Sequence, residues 1–142
     1  MTNMPHQITI NATPQKVFEA ITTTEGIKGW WSTDAKAEPH LGSTTEVAFY
    51  NRQAIFQLKV TQFEPGKLVE WLALHDMPAW KGTTIQFDLS VNENGATVLN
   101  FNHSGFASME GPYAMINTTW GSLMYILKQY VEGKNPEVWH KA

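Results

Sequence analysis

The sequence has no cysteine in 142 residues. Disulfides, thiolate metal sites and a cysteine nucleophile are excluded, and the composition suits a reducing compartment, so a cytoplasmic location is expected. Charge is sparse too, at 16% of residues, with ten Lys and Arg against thirteen Asp and Glu. The basic residues are scattered and the net charge is −3. Phosphate-backbone binding needs a basic footprint, so nucleic acid is not an expected partner. No apolar run approaches the ~18 residues of a membrane span, and "MTNMPHQITI" lacks a signal pattern, so membrane insertion is not expected either. G-x-S-x-G, H-E-x-x-H and phosphate-cradling glycine loops are also missing. No cofactor, metal or catalytic residue is assigned.

What the chain does have is aromatic bulk: six Trp, seven Phe and four Tyr. Its length suits one domain, residues 1–142, that buries roughly 68–70% of its unfolded surface. "HQITI" reads as a short strand. "NATPQKVFEAITT" reads as a helix, with Thr13 as cap, Pro14 at the first position, and Val17, Phe18 and Ile21 on one face. "TEGIKGWW" gives a second short helix capped by Thr24. If it runs through Gly29, Ile27, Trp30 and Trp31 share a face. If it stops there, the two indoles diverge, Trp30 into the interior and Trp31 towards any cavity.

From Gly42 the period becomes two. "STTEVAFY", "AIFQLKVTQF", "LVEWLALH", "TTIQFDLSV" and "ATVLNFNH" read as five strands, with turns at "EPGK" and "NENG" and a loop at "DMPAWKG". Ile85, Phe87, Leu89 and Val91 share one face, as do Thr97, Leu99, Phe101 and His103. After Gly111-Pro112, the apolar positions Tyr113, Ile116, Trp120, Leu123, Leu127 and Tyr130 recur at helical steps until Gly133. One strand, two short helices, five strands and a long helix describe an α+β domain with a mainly antiparallel sheet.

Four stretches carry a resemblance: "ATPQKVFEAITTTEGIKGWW", "FEPGKLVEW", "TVLNFNHSGF" and "WGSLMYILKQYVEG". In that order the chain resembles the helix-grip, START-like superfamily (SRPBCC), and within it the family named for activators of the heat-shock-protein-90 ATPase. The resemblance implies a stand-alone domain with a curved antiparallel sheet wrapped around the long C-terminal helix, and a hydrophobic cavity between them. With the surplus of aromatics and the missing catalytic motifs, a non-enzymatic binder of a small apolar ligand is the expected function. The alternatives are a chaperone-associated protein-interaction module and a cyclase-like enzyme using a pocket histidine.

The ligand-binding set expected on this basis is Trp31, Trp80, Phe87, Phe101, His103, Met115, Thr119 and Trp120. His103 reads either as a hydrogen-bonded core residue or as a polar group on the pocket wall. His75 and Asp76 form, with His103, a two-His, one-carboxylate set in residue type but without diagnostic spacing, so a solvated loop is expected there. Met77, Trp80, Phe106, Met109 and Met115 are candidates for an adaptable apolar rim. Gly121 is read as a point of close approach.

Overall fold

The computed structural model describes residues 2–142. The alternating stretches form strands and the 3.6-residue stretches form helices. Strand β1 is Thr2–Ile10, followed by helices α1 (Pro14–Thr22) and α2 (Thr24–Lys28). Strands β2 (Asp34–Lys36), β3 (Thr44–Phe49), β4 (Ala54–Glu64), β5 (Leu68–Ala73), β6 (Thr84–Val91) and β7 (Thr97–Phe106) come next, and α3 (Tyr113–Val131) closes the order. All strands pair antiparallel in one sheet ordered β1-β7-β6-β5-β4-β3-β2. The meander runs from β2 to β7, and β1 adds to the free edge of β7. The two short helices therefore link opposite edges of the sheet. This is the α+β helix-grip architecture.

Inward side chains line up in cross-strand rows. Met4, His103, Ile85, Trp71 and Val60 form one row, and His6, Phe101, Phe87, Val69 and Phe63 the next. Two irregularities bend the sheet. β4 carries an extra residue between Val60 and Gln62, which returns Phe63 to the inner face, 5.1 Å from the ring of Phe18. In β7 the register slips opposite Thr2 and Asn3, where Gly105 takes φ +95°. That bulge lets His103 and Phe106 both face inward, with ring centroids 4.4 Å apart. On the concave face α3 buries Tyr113, Ile116, Trp120, Leu123, Met124 and Leu127.

Several local expectations need correction. β1 begins at Thr2 rather than His6, because Pro5 lies on an edge strand where its missing N–H costs no ladder bond. The short strand β2 adds a seventh strand; three residues are too few to show a period. Thr13 does cap α1, accepting from Lys16 N–H at 3.3 Å. The cap of α2 is Thr23, which accepts from Gly26 N–H at 3.0 Å, while Thr24 exchanges two hydrogen bonds with Ala37. A Cβ on Gly121 would meet His6 at an ordinary 3.7 Å, so no close approach demands glycine there.

Gly29 matters for a different reason. α2 does end at it, but the two indoles do not diverge. A further turn, closed by Trp31 N–H to Ile27 O at 3.0 Å, stacks the rings 5.5 Å apart and 17° from parallel. Trp30 fixes itself inside by donating its indole N–H to Ala20 O at 2.8 Å. Gly29 is the point where the Tyr130 ring packs, and a Cβ there would lie 2.2 Å from that ring.

Candidate functional site

Between the β3–β4 end of the sheet and the first half of α3 lies a cavity of about 330 Å³. Its floor is buried and aromatic: Trp31 from the turn after α2, Trp80 from the 76–83 loop, and Trp120 with Leu123 from α3. Phe49 and Phe56 form the sheet wall, with ring centroids 5.0 Å apart. Tyr50, Met77, Met115 and Trp139 surround the mouth and are exposed. Among the described residues no charged side chain lines it.

The floor is one connected ring network. Trp31 lies 5.2 Å from Trp120 and 6.1 Å from Trp71, Trp80 lies 6.1 Å from Trp120, and Phe56 lies 4.7 Å from Trp80. Such contacts add to area burial and fix ring orientation, so the floor is preformed.

His103 sits beneath that floor with no exposure to solvent. Trp120 Nε1–H donates to its Nδ1 at 3.0 Å. Its Nε2 must then carry the proton, which it gives to Thr83 Oγ1 at 2.7 Å. Thr83 passes its own hydroxyl proton to Trp80 O at 2.5 Å. Every ring nitrogen is used. Burial, with a smaller contribution from His75, pushes the pKa of His103 down to about 3. The ring is therefore neutral and satisfied.

The loop expected at His75-Asp76 is present and Asp76 is exposed on it, but His75 is not solvated. His75 is buried and stacks on Phe56 at 4.4 Å and 9°. Its Nδ1 accepts from Gln57 N–H at 3.2 Å, and desolvation lowers its pKa. His75 Nε2 and Trp71 Nε1 are buried without a protein partner among the described residues. Among those residues no three His, Cys, Asp or Glu side chains converge to hold a metal ion.

Of the expected ligand set, Trp31, Trp80, Met115, Thr119 and Trp120 meet around the cavity. Phe87, Phe101 and His103 lie one layer below, with the Phe101 ring 4.5 Å and the Phe87 ring 6.4 Å from that of Trp120. Met77 and Trp80 belong to the cavity as well, whereas Phe106 is buried and Met109 is exposed on the 107–112 loop. Sequence reasoning missed Phe49, Tyr50, Phe56 and Trp139. The alternation in "EVAFY" could have placed Phe49 inward beside Val47. Nothing local marks Trp139.

A family model described as activator of Hsp90 ATPase homolog 1-like protein matches residues 11–132. Among solved structures, the Aha1 dimer from Colwellia psychrerythraea is 35% identical, covering 96% of this chain and 100% of its own, with a TM-score of 0.86. Protein MLL2253 from Mesorhizobium loti is 21% identical over 92% of this chain and 97% of its own, with a TM-score of 0.79. DynU16, from the dynemicin biosynthetic locus, is 21% identical over 99% of this chain and 51% of its own, with a TM-score of 0.80. The last two share the fold. No curated protein matches.

Proposed function

This chain belongs to the activator of Hsp90 ATPase homolog 1-like family, and within it we propose a non-enzymatic domain, residues 1–142, that binds one small uncharged apolar ligand. The observation that carries this reading is the cavity's make-up: a rigid indole and phenyl floor, a flexible methionine rim and, among the described residues, no charged lining side chain. Such a site desolvates an apolar molecule at no electrostatic cost and selects by shape. We place the domain in the cytoplasm; no described helix is long and apolar enough to cross a membrane.

Native mass spectrometry of the purified protein, followed by solvent extraction, tests the reading. A bound or loadable uncharged compound is expected, with binding lost in Thr119→Trp, which fills the space from α3. Failure of every member of an uncharged aromatic and aliphatic panel to bind would overturn it.

A second reading has its own observation. Tyr50, Met77, Met115 and Trp139 form an exposed apolar ring around the mouth, and surfaces of this kind bind proteins. Under it the partner is an Hsp90-type chaperone, as the family description suggests, or a second copy, as in the Colwellia relative. Stimulation of the chaperone's ATPase and sedimentation of the isolated domain distinguish these. Cyclase-like chemistry through His103 gains nothing from the geometry, since both its nitrogens already serve the core.

A further inference from the structure

The segment after α3 builds one wall of the cavity. Gly133 (φ +81°) and Asn135 (φ +50°) turn the chain at the end of the helix. It then runs parallel to the turn that carries the paired tryptophans. Trp139 N–H donates to Trp30 O and His140 N–H to Trp31 O, both at 2.9 Å, and Thr33 N–H returns to His140 O at 3.0 Å. Ala142 N–H reaches Thr33 Oγ1 at 2.6 Å.

His140 also holds the opposite wall. Its Nε2 accepts Tyr50 N–H at 3.1 Å, and its ring lies 4.9 Å from Tyr50 and 5.4 Å from Phe49. Tyr50, Asn51 and Arg52 have φ of 52°, 55° and 65°. Three successive non-glycine residues in the left-handed region are strained and need outside support. One segment thus ties the Trp31 turn to the Tyr50 turn and sets the Trp139 indole, 46% exposed, at the mouth between them. The family match ends at residue 132, before this segment begins.

We propose that residues 134–142 form a latch coupled to ligand occupancy, with Trp139 as its contact to the ligand. The proposal rests on the ligand-binding reading above. A few surface backbone bonds open locally at small cost. A half-exposed indole loses further contact with water when an apolar molecule fills the cavity. Ligand and docked latch therefore stabilise each other, and the coupling is reciprocal. Opening the latch widens the mouth; the closed latch slows escape.

The test uses prodan, an uncharged naphthalene dye, with the full chain, Trp139→Ala and a form lacking residues 134–142. Equilibrium titration and stopped-flow mixing give affinity and rates, and hydrogen exchange follows the amides of Thr33, Trp139 and His140. In the full chain, prodan is expected to slow exchange at those amides. Trp139→Ala, which keeps the backbone bonds, is expected to bind about tenfold more weakly. The shortened form is expected to bind at least as weakly, with faster association and faster release. Equal affinity and equal rates in all three forms would overturn the latch and leave the cavity reading standing. No prodan binding by any form, together with failure of the wider panel, would overturn both. If the shortened form does not fold, Trp139→Ala and the exchange data of the full chain still decide.

Discussion

Trp120 donates its indole N–H to His103 Nδ1 at 3.0 Å, and that bond settles which nitrogen of the histidine carries the proton. The relay that follows, through Thr83 to the Trp80 carbonyl, joins α3, β7 and the 76–83 loop through three side chains. It explains why a polar ring occupies an apolar row: His103 spans two hydrogen bonds that no hydrocarbon could make.

Trp120→Phe keeps most of the ring volume but leaves His103 Nδ1 as a buried acceptor with no donor. A loss of about 1–3 kcal/mol is expected, read as a lower urea midpoint with an unchanged slope. A midpoint equal to that of the parent would mean that the relay contributes no net stability.

The depressed His103 pKa sets a pH window. The unfolded chain takes up this proton near the ordinary 6.5, whereas the folded ring resists it down to about 3. Stability from this group is therefore complete above 6.5 and declines as pH falls towards 3, by up to ~1.4 kcal/mol per pH unit. His75, shifted in the same direction by burial, steepens the decline. Urea midpoints between pH 8 and 4 measure it, and His103→Gln is expected to flatten the profile.

Glu132 adds to the decline lower down. Its carboxylate accepts from Lys128 Nζ and Asn11 N–H, both at 2.7 Å, and pairs with Lys134 at 3.3 Å. The lysine hydrogen bond, and then the Asn11 amide, hold its pKa at about 2, below the ordinary 4.5. Its contribution is present above 4.5 and is lost as pH falls towards 2. Glu132→Gln is expected to lower the thermal midpoint at pH 7 and to leave it nearly unchanged at pH 2.

Gly29→Ala places a methyl group against the Tyr130 ring, where the gap to an ideal Cβ is 2.2 Å. Overpacking of this kind costs about 1–3 kcal/mol. The loss is expected to shrink in a Tyr130→Ala background, a non-additivity that a double-mutant cycle reads directly. Equal losses in both backgrounds would point away from the ring as the cause.

The fold was largely legible because its signals are periodic. The step from 3.6 to 2 at Gly42 and back after Pro112 separates helix from strand, and the four family stretches supply the topology. Part of the site was legible too: Trp120 lies on the apolar stripe of α3, while Met115 and Thr119 followed from the family resemblance and not from the period. What stayed hidden depends on contacts distant in sequence. Trp139 enters the cavity through backbone bonds to residues more than a hundred positions earlier. His75 looked solvated because its burial comes from Phe56 stacking on it from the neighbouring strand. The indoles stack because one more turn, closed by Trp31 N–H to Ile27 O, carries the chain past Gly29, and the residue types alone leave open whether that turn forms.

The near-parallel indoles have an optical consequence. Trp30 and Trp31, and again Trp31 and Trp71, lie 5.5 and 6.1 Å apart with planes 17° from parallel. Transition dipoles held that closely share their excitation, so the three rings absorb as a coupled unit, and the twist between their in-plane dipoles sets the size of a paired positive and negative band in circular dichroism. Because Trp31 also walls the cavity, that band is an intrinsic gauge of the site's geometry and needs no label.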